Sequence, residues 1–468
     1  AKSARIATGI YAGNNQHITI KNEQPAGALS ITAENTDTRA AAGIYTDTEA
    51  HLTIAAPVNI RKVTTNGDAV NGVHIQGQRS ALVFNGPLSI AGLDAKRGRG
   101  DGMNAAGIRV TGQDSSVTVN DKVSITDVKG SGLALTGANG TISVKGGTIT
   151  AAADADRTKH YAAVRADKGT VNINMESGAA GTTTTNITGD MYLTREYGKR
   201  VPEYSPPGTL VDFENKGVLN LALTDAASAW HGAATYAVHK DDYGTGGFTA
   251  HDVGTFNLYL QNGAQWTNEA LSGTDASFAG SRLAKLTGGS DAAHAGLIAQ
   301  KDAKNITVDS YSGHTRVLYA HDAAHPTTMQ GGDFVVKQAA PGSTITLRTD
   351  SAGLNTTSTK AADKNLVSAT LDALAKKLYY TAYASGERNL AGRTEIAEGL
   401  TASSASRAEE ITFSETDGRG GYTYTPAIDL PDTQVTTAFT QGITGDAETD
   451  KVYALGGVLK DGKYAFSK

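Results

Sequence analysis

The chain has 468 residues, a formal net charge of -5 and no cysteine. Its 54 glycines and its 6% aromatic and 19% charged content, set among regularly recurring Val, Ile and Leu, exclude a disordered chain and suit many short strands joined by small-residue turns. The absent thiols exclude a disulfide frame, a thiolate nucleophile and a zinc–thiolate site, and the mildly acidic balance argues against nucleic acid as a partner.

Residues 1–20 carry no basic-then-apolar leader, and no stretch reaches the roughly 18 apolar residues of a membrane helix. An exported chain of this kind would therefore be a mature or trimmed form. From the start, one unit recurs: a small residue, an alternating apolar triplet, a polar turn and a second alternating strand. The copies begin at Gly9 (GIYAGNNQHITIKN), Gly43 (GIYTDTEAHLTIAAPVNI), Gly72 (GVHIQGQRSALVFNGPLSI), Gly107 (GIRVTGQDSSVTVNDKVSI), Gly132 (GLALTGANGTISVKGGTIT) and Ala163 (AVRADKGTVNINM). Successive starts differ by 34, 29, 35, 25 and 31 residues.

The strand pieces alternate strictly: His17-Ile18-Thr19-Ile20, Leu52-Thr53-Ile54, Val117-Thr118-Val119, Ile142-Ser143-Val144 and Val171-Asn172-Ile173. A period of two sends the aliphatic set to one face and the Thr/Ser/Asn set to the other. Three such strands close one coil of a parallel β-helix, and stacked coils share one narrow apolar core. A coil needs only about 20 to 25 residues on strand geometry, so the longer spacings imply protruding loops. A sandwich or propeller would show hairpin signals and more aromatics.

Beyond about residue 180 the pattern changes. NLALTDAASAW ends at Trp230 and NLYLQNGAQW ends at Trp266, which we read as core residues of later coils rather than sugar-stacking platforms. REYGKRVPEYSPPG (195–208) and HKDDYGTGGFTAHD (239–252) are polar, glycine- and proline-bearing inserts expected on the surface. The KDDYG within the second could bind calcium, but two adjacent aspartates in a glycine loop are a weak signal for it. Strand-like segments return at 305–322 and 331–350. In KNLVSATLDALAKKLYY (364–380), Val367, Leu371, Leu374 and Leu378 fall on one helical face, so a helix is expected there. The resulting organisation is a parallel β-helix over 1–350, a linker with a helix over 351–380 and a β-rich segment over 381–468.

The segment DAKRGRGDGM (94–103) stands apart. Lys96, Arg97 and Arg99 have a basic-basic-x-basic spacing, and guanidinium groups grip sulfate with paired hydrogen bonds. Arg99-Gly100-Asp101 spells the tripeptide that animal integrins read, although so short a motif also arises by chance in a solvated loop. These five residues, Lys96, Arg97, Arg99, Gly100 and Asp101, are the candidate binding residues.

The Gly-Ile-Tyr starts at Gly9 and Gly43, the Asn-Leu-x-Leu strands leading to Trp230 and Trp266, and the run ITVDSYSG…VLY…GGDFVVKQAAPGSTITLRTD (306–350) together resemble the passenger domains of AIDA-type (type Va) autotransporters of Gram-negative bacteria. That resemblance implies a right-handed parallel β-helix exported through the outer membrane to the bacterial surface. It implies membrane contact only through a C-terminal barrel of about a dozen strands, which this chain lacks. It also implies a non-catalytic adhesin whose partner is a host extracellular-matrix protein, a glycosaminoglycan or the same passenger on another cell, with no cofactor or metal. Relatives carry the integrin tripeptide on a loop. The alternative is a carbohydrate-active β-helix enzyme using outward carboxylates such as Asp121, Asp127 and Glu176. No Gly-Asp-Ser-Gly, Gly-x-Ser-x-Gly or His-Glu-x-x-His occurs. Lone histidines such as His74 and His231 read as packing or surface residues.

Overall fold

The computed structural model describes residues 6–21, 27–36, 40–67, 69–95, 105–152, 162–196, 217–239, 254–271, 280–340, 343–349, 352–355 and 360–380, together with strand residues 388–389, 407–412, 421–428, 433–441, 457–460 and 463–466. The chain divides into two compact units, residues 1–257 with 270–278, and residues 258–269 with 279–468.

The first unit is a parallel β-helix whose coils carry three strands each. The first coil is β1 (Ile6–Ala12), β2 (His17–Ile20) and β3 (Leu29–Asn35). The second is β4 (Ala40–Thr46), β5 (His51–Ile54) and β6 (Val58–Thr65); the third is β7 (Val70–Ile75), β8 (Ala81–Phe84) and β9 (Leu88–Ala95). The fourth is β10 (Ala105–Val110), β11 (Ser116–Val119) and β12 (Val123–Val128), and the fifth is β13 (Ser131–Leu135), β14 (Thr141–Val144) and β15 (Gly147–Ala151). Each strand pairs in parallel with its counterpart one coil on, so the strands fall into three sheets. Two further three-strand coils follow in this unit, and a short antiparallel hairpin, Met175–Glu176 with Ala179–Ala180, interrupts the sixth.

Alternation sets this register. In the second sheet Ile18, Leu52, Leu82, Val117, Ile142 and Val171 stack in one column, and all from Leu52 onward are essentially inaccessible to water. A fully buried aliphatic side chain is worth about 1.5–3 kcal/mol, and a one-residue slip would turn the whole column outward.

The recurrent glycine has a steric reason. A Cβ on Gly43 would lie 2.5 Å from Ile60 Cγ2 and 2.6 Å from the Gly72 carbonyl oxygen. The same clash with a third-sheet isoleucine recurs at Gly72 against Ile90 and at Gly107 against Ile125. Glycine lets the first sheet close onto the third across a core only one side chain wide.

In the second unit the coils carry two strands. Gln265–Asn268, Gly296–Gln300, His314–Tyr319 and Thr344–Thr349 pair in parallel, as do Ser281–Thr287, Ile306–Ser312 and Phe334–Ala339. Both tryptophans are core residues: Trp230 in the first unit is 1% exposed and donates its indole N–H to the Gly189 carbonyl at 3.0 Å, and Trp266 in the second is fully buried.

The single helix among the described residues, α1, spans Ala361–Ala375 and packs on the strands His325–Met329 and Thr344–Thr349. It differs from the expected 364–380. Val367 and Leu374 are buried on it, but Leu378 lies past a turn at Lys376–Lys377, in the strand Leu378–Tyr380. That strand pairs in parallel with Phe334–Ala339, matching Phe334 to Leu378. A free sheet edge and a Leu-Tyr-Tyr run outweigh the helical spacing there.

Candidate binding surface of side-chain ladders

Stacking in register converts each outward position into a column that runs from coil to coil at the roughly 4.8 Å strand spacing. On the second sheet one column reads Thr19, Thr53, Val83, Thr118, Ser143, Asn172, Asn220. Its far end is a directional amide chain. Asn257 Nδ2 donates to Asn220 Oδ1 at 2.9 Å, Asn220 Nδ2 to Asn172 Oδ1 at 2.8 Å, and Asn172 Nδ2 to Ser143 Oγ at 3.3 Å. Each asparagine still has one N–H and one lone pair for a partner. The third sheet carries a similar column, Ser30, Asn59, Ser89, Ser124, Thr148, Asn186.

The turn between the first and second sheets is itself a ladder. Asn15, Glu49, Arg79, Asp114 and Asn139 all adopt left-handed backbone, with φ between 53° and 57°. The amide N–H groups of the first four each donate to a carbonyl of the next coil at 2.8–3.0 Å. Their side chains pair along the stack: Arg79 with Glu49, and Asn139 Nδ2 with Asp114 Oδ1 at 3.0 Å. Asn and Asp tolerate this conformation best, which matches three of the five positions.

The first sheet presents aromatic and basic groups. Tyr11 stacks on Tyr45 with ring centroids 5.9 Å apart, and His74 meets the Tyr45 ring edge-on at 5.4 Å. Arg109 follows in register beside His74, and Arg165 lies over the Tyr192 ring at 5.4 Å. Tyr11 is 54% exposed, whereas Tyr45 is buried and donates to Gln76 Oε1 at 2.6 Å. Burial, and then the Asp47 carboxylate, push the Tyr45 phenol up to about 12. Burial, and then the Arg109 charge, push His74 down to about 3, so it is a neutral packing group. Arg165 and Asp167 form a buried ion pair at 3.0 Å.

Lys96, Arg97, Arg99, Gly100 and Asp101 lie outside the described residues, as does KDDYG. The strands on either side reach closer than the sequence suggests, since β9 runs to Ala95 and β10 starts at Ala105. Asp94 pairs with Lys129 of the neighbouring coil at 3.3 Å, which draws off part of its charge from the basic cluster. Of the outward carboxylates, Asp121 accepts its neighbour Lys122's N–H at 2.7 Å, and Asp127 stands at a bulge with left-handed backbone, φ 51°. Among the described residues no group of three or more His, Asp or Glu has metal-holding geometry.

The amide ladder was hidden from sequence reasoning because Asn172 and Asn220 are 48 residues apart in the chain, well beyond the spacing of the earlier repeats. Comparison with protein-family models, curated proteins and solved structures finds no match to this chain.

Proposed function

We propose that the chain is a non-catalytic bacterial surface adhesin of the autotransporter-passenger kind, acting through its outward ladders. The observation that carries this reading is the in-register column Thr19 to Asn220 with its amide chain. It repeats weak hydrogen-bonding groups at a fixed spacing, so a partner with matching repeats gains many contacts at once. A second copy of the same solenoid has that repeat, and self-association between cells is the behaviour this favours. The segment 94–103 adds a local contact for a matrix protein or a sulfated glycan. The resemblance of 9–350 to AIDA-type passengers supports location at the outer surface.

The test displays the chain on cells or beads and scores clumping. A triple variant, Thr53→Glu, Thr118→Glu and Asn172→Glu, puts like charges along one outward column without touching the core, and it should abolish clumping while Lys96→Ala with Arg97→Ala leaves it intact. A display that neither clumps nor retains any matrix protein or glycan would overturn the adhesin reading.

A further inference from the structure

Two imidazoles lie side by side on the outer face of the second sheet. His17 opens β2 and His51 opens β5, opposite each other across parallel strands. The His51 backbone N–H donates to the Gln16 carbonyl at 2.7 Å, which fixes the two backbones together. The rings are cofacial, with centroids 4.6 Å apart and planes 4° from parallel. Both residues are exposed. Neither makes a side-chain hydrogen bond among the described residues. Among the described residues the next in the column is Ala81, which is too small to cover the His51 ring. The exposed histidines His294 and His325 differ: each has its Nδ1 against its own aspartate, Asp291 at 2.7 Å and Asp322 at 3.0 Å.

We infer that His17 and His51 form a two-nitrogen site for a divalent cation of the zinc class. Zinc–imidazole bonds of about 2.0–2.1 Å in a tetrahedral array place two ligand nitrogens about 3.3 Å apart. Parallel strands hold the two residues about 4.8 Å apart, so the two ring nitrogens must close by about 1.5 Å, and, because each lone pair lies in its ring plane, both exposed rings must turn out of the cofacial stack to point at one ion. Imidazole ligands select Zn, Ni and Cu ions over Mg and Ca, which require oxygen. Two nitrogens leave two positions open, for water or for the same pair on a second copy. The inference does not depend on the adhesin reading.

Calorimetric titration of the whole chain with nickel or zinc chloride, in buffer free of chelator, tests it. The expected result is a saturable site holding one cation per chain, or one per two chains if a second copy completes the shell, with no heat from magnesium chloride. His17→Ala and His51→Ala should each weaken binding by at least about 100-fold, because the second nitrogen acts intramolecularly. His325→Ala should leave binding unchanged. Circular dichroism of the variants checks that they keep the wild-type strand content. No saturable binding by the wild-type chain, or equal binding after either His17→Ala or His51→Ala, would overturn the site.

Discussion

His74 lies between the Tyr45 ring edge and Arg109, with its Nε2 3.2 Å from the Thr111 hydroxyl. Folded, it stays neutral down to about pH 3; unfolded, it takes up a proton near 6.5. Protons therefore favour the unfolded chain between these values. The stability that His74 contributes is fully present above pH 6.5 and is lost progressively as pH falls toward 3. At pH 5 the loss is about 2 kcal/mol, from a gap of roughly 1.5 units. His74→Gln should flatten urea midpoints measured between about pH 5 and 7, and an unchanged slope would rule out His74 as the source. Gly43 makes a second residue-level point. Gly43→Ala drives a methyl into Ile60 and the Gly72 carbonyl, so we expect a loss of about 1–3 kcal/mol, read from the urea midpoint.

At the scale of elements, α1 and the strand after it close the side of the second unit. Leu374 on α1 and Leu378 on that strand are both fully buried. Lys377 between them donates to the Gly331 carbonyl at 2.7 Å and lies 5.9 Å from the Tyr319 ring centre. Leu374→Ala should cost about 2–5 kcal/mol. In a solenoid that loss falls mostly on neighbouring coils, so hydrogen exchange should accelerate in Phe334–Ala339 and Thr344–Thr349 while β4–β9 stay protected. Uniform acceleration throughout would contradict nearest-neighbour stacking. The parallel β-helix was legible because period-two alternation and the glycine starts each report one local constraint repeated many times. The C-terminal limit of α1 was not, since Leu378 satisfies a helical stripe and a strand equally until the open edge of Phe334–Ala339 decides between them. The outward Thr, Ser and Asn were legible one by one, but their columns required the register. His17 and His51 share the 34-residue offset of Gly9 and Gly43, so aligning the repeats would have paired them. No such offset links Asn172 to Asn220.

At the scale of the whole molecule, a solenoid separates rigidity from recognition. Stacked coils hold the ladders in place, while longer connections between strands can vary without disturbing the core. The segment 96–104 is such a connection, joining the third-sheet strand β9 to the first-sheet strand β10. Two chemistries compete for it, and two changes separate them. Asp101→Glu keeps the charge but lengthens the side chain, which an integrin-type contact to Arg99-Gly100-Asp101 would not tolerate. Lys96→Ala with Arg97→Ala leaves that tripeptide intact and removes two of the three cations that a sulfated glycan would grip. The Asp94–Lys129 pair at the root of the segment, exposed on both sides, contributes little to stability, so neither change should unfold the coil. We expect the double change to release the chain from immobilised heparin, at lower salt than the wild type requires, because exposed charge contacts weaken as ionic strength rises. Asp101→Glu should elute with the wild type. The opposite pattern, with cell attachment lost only on Asp101→Glu, would assign the segment to an integrin-type receptor. Equal behaviour of all three chains in both assays would leave the outward ladders as the binding surface.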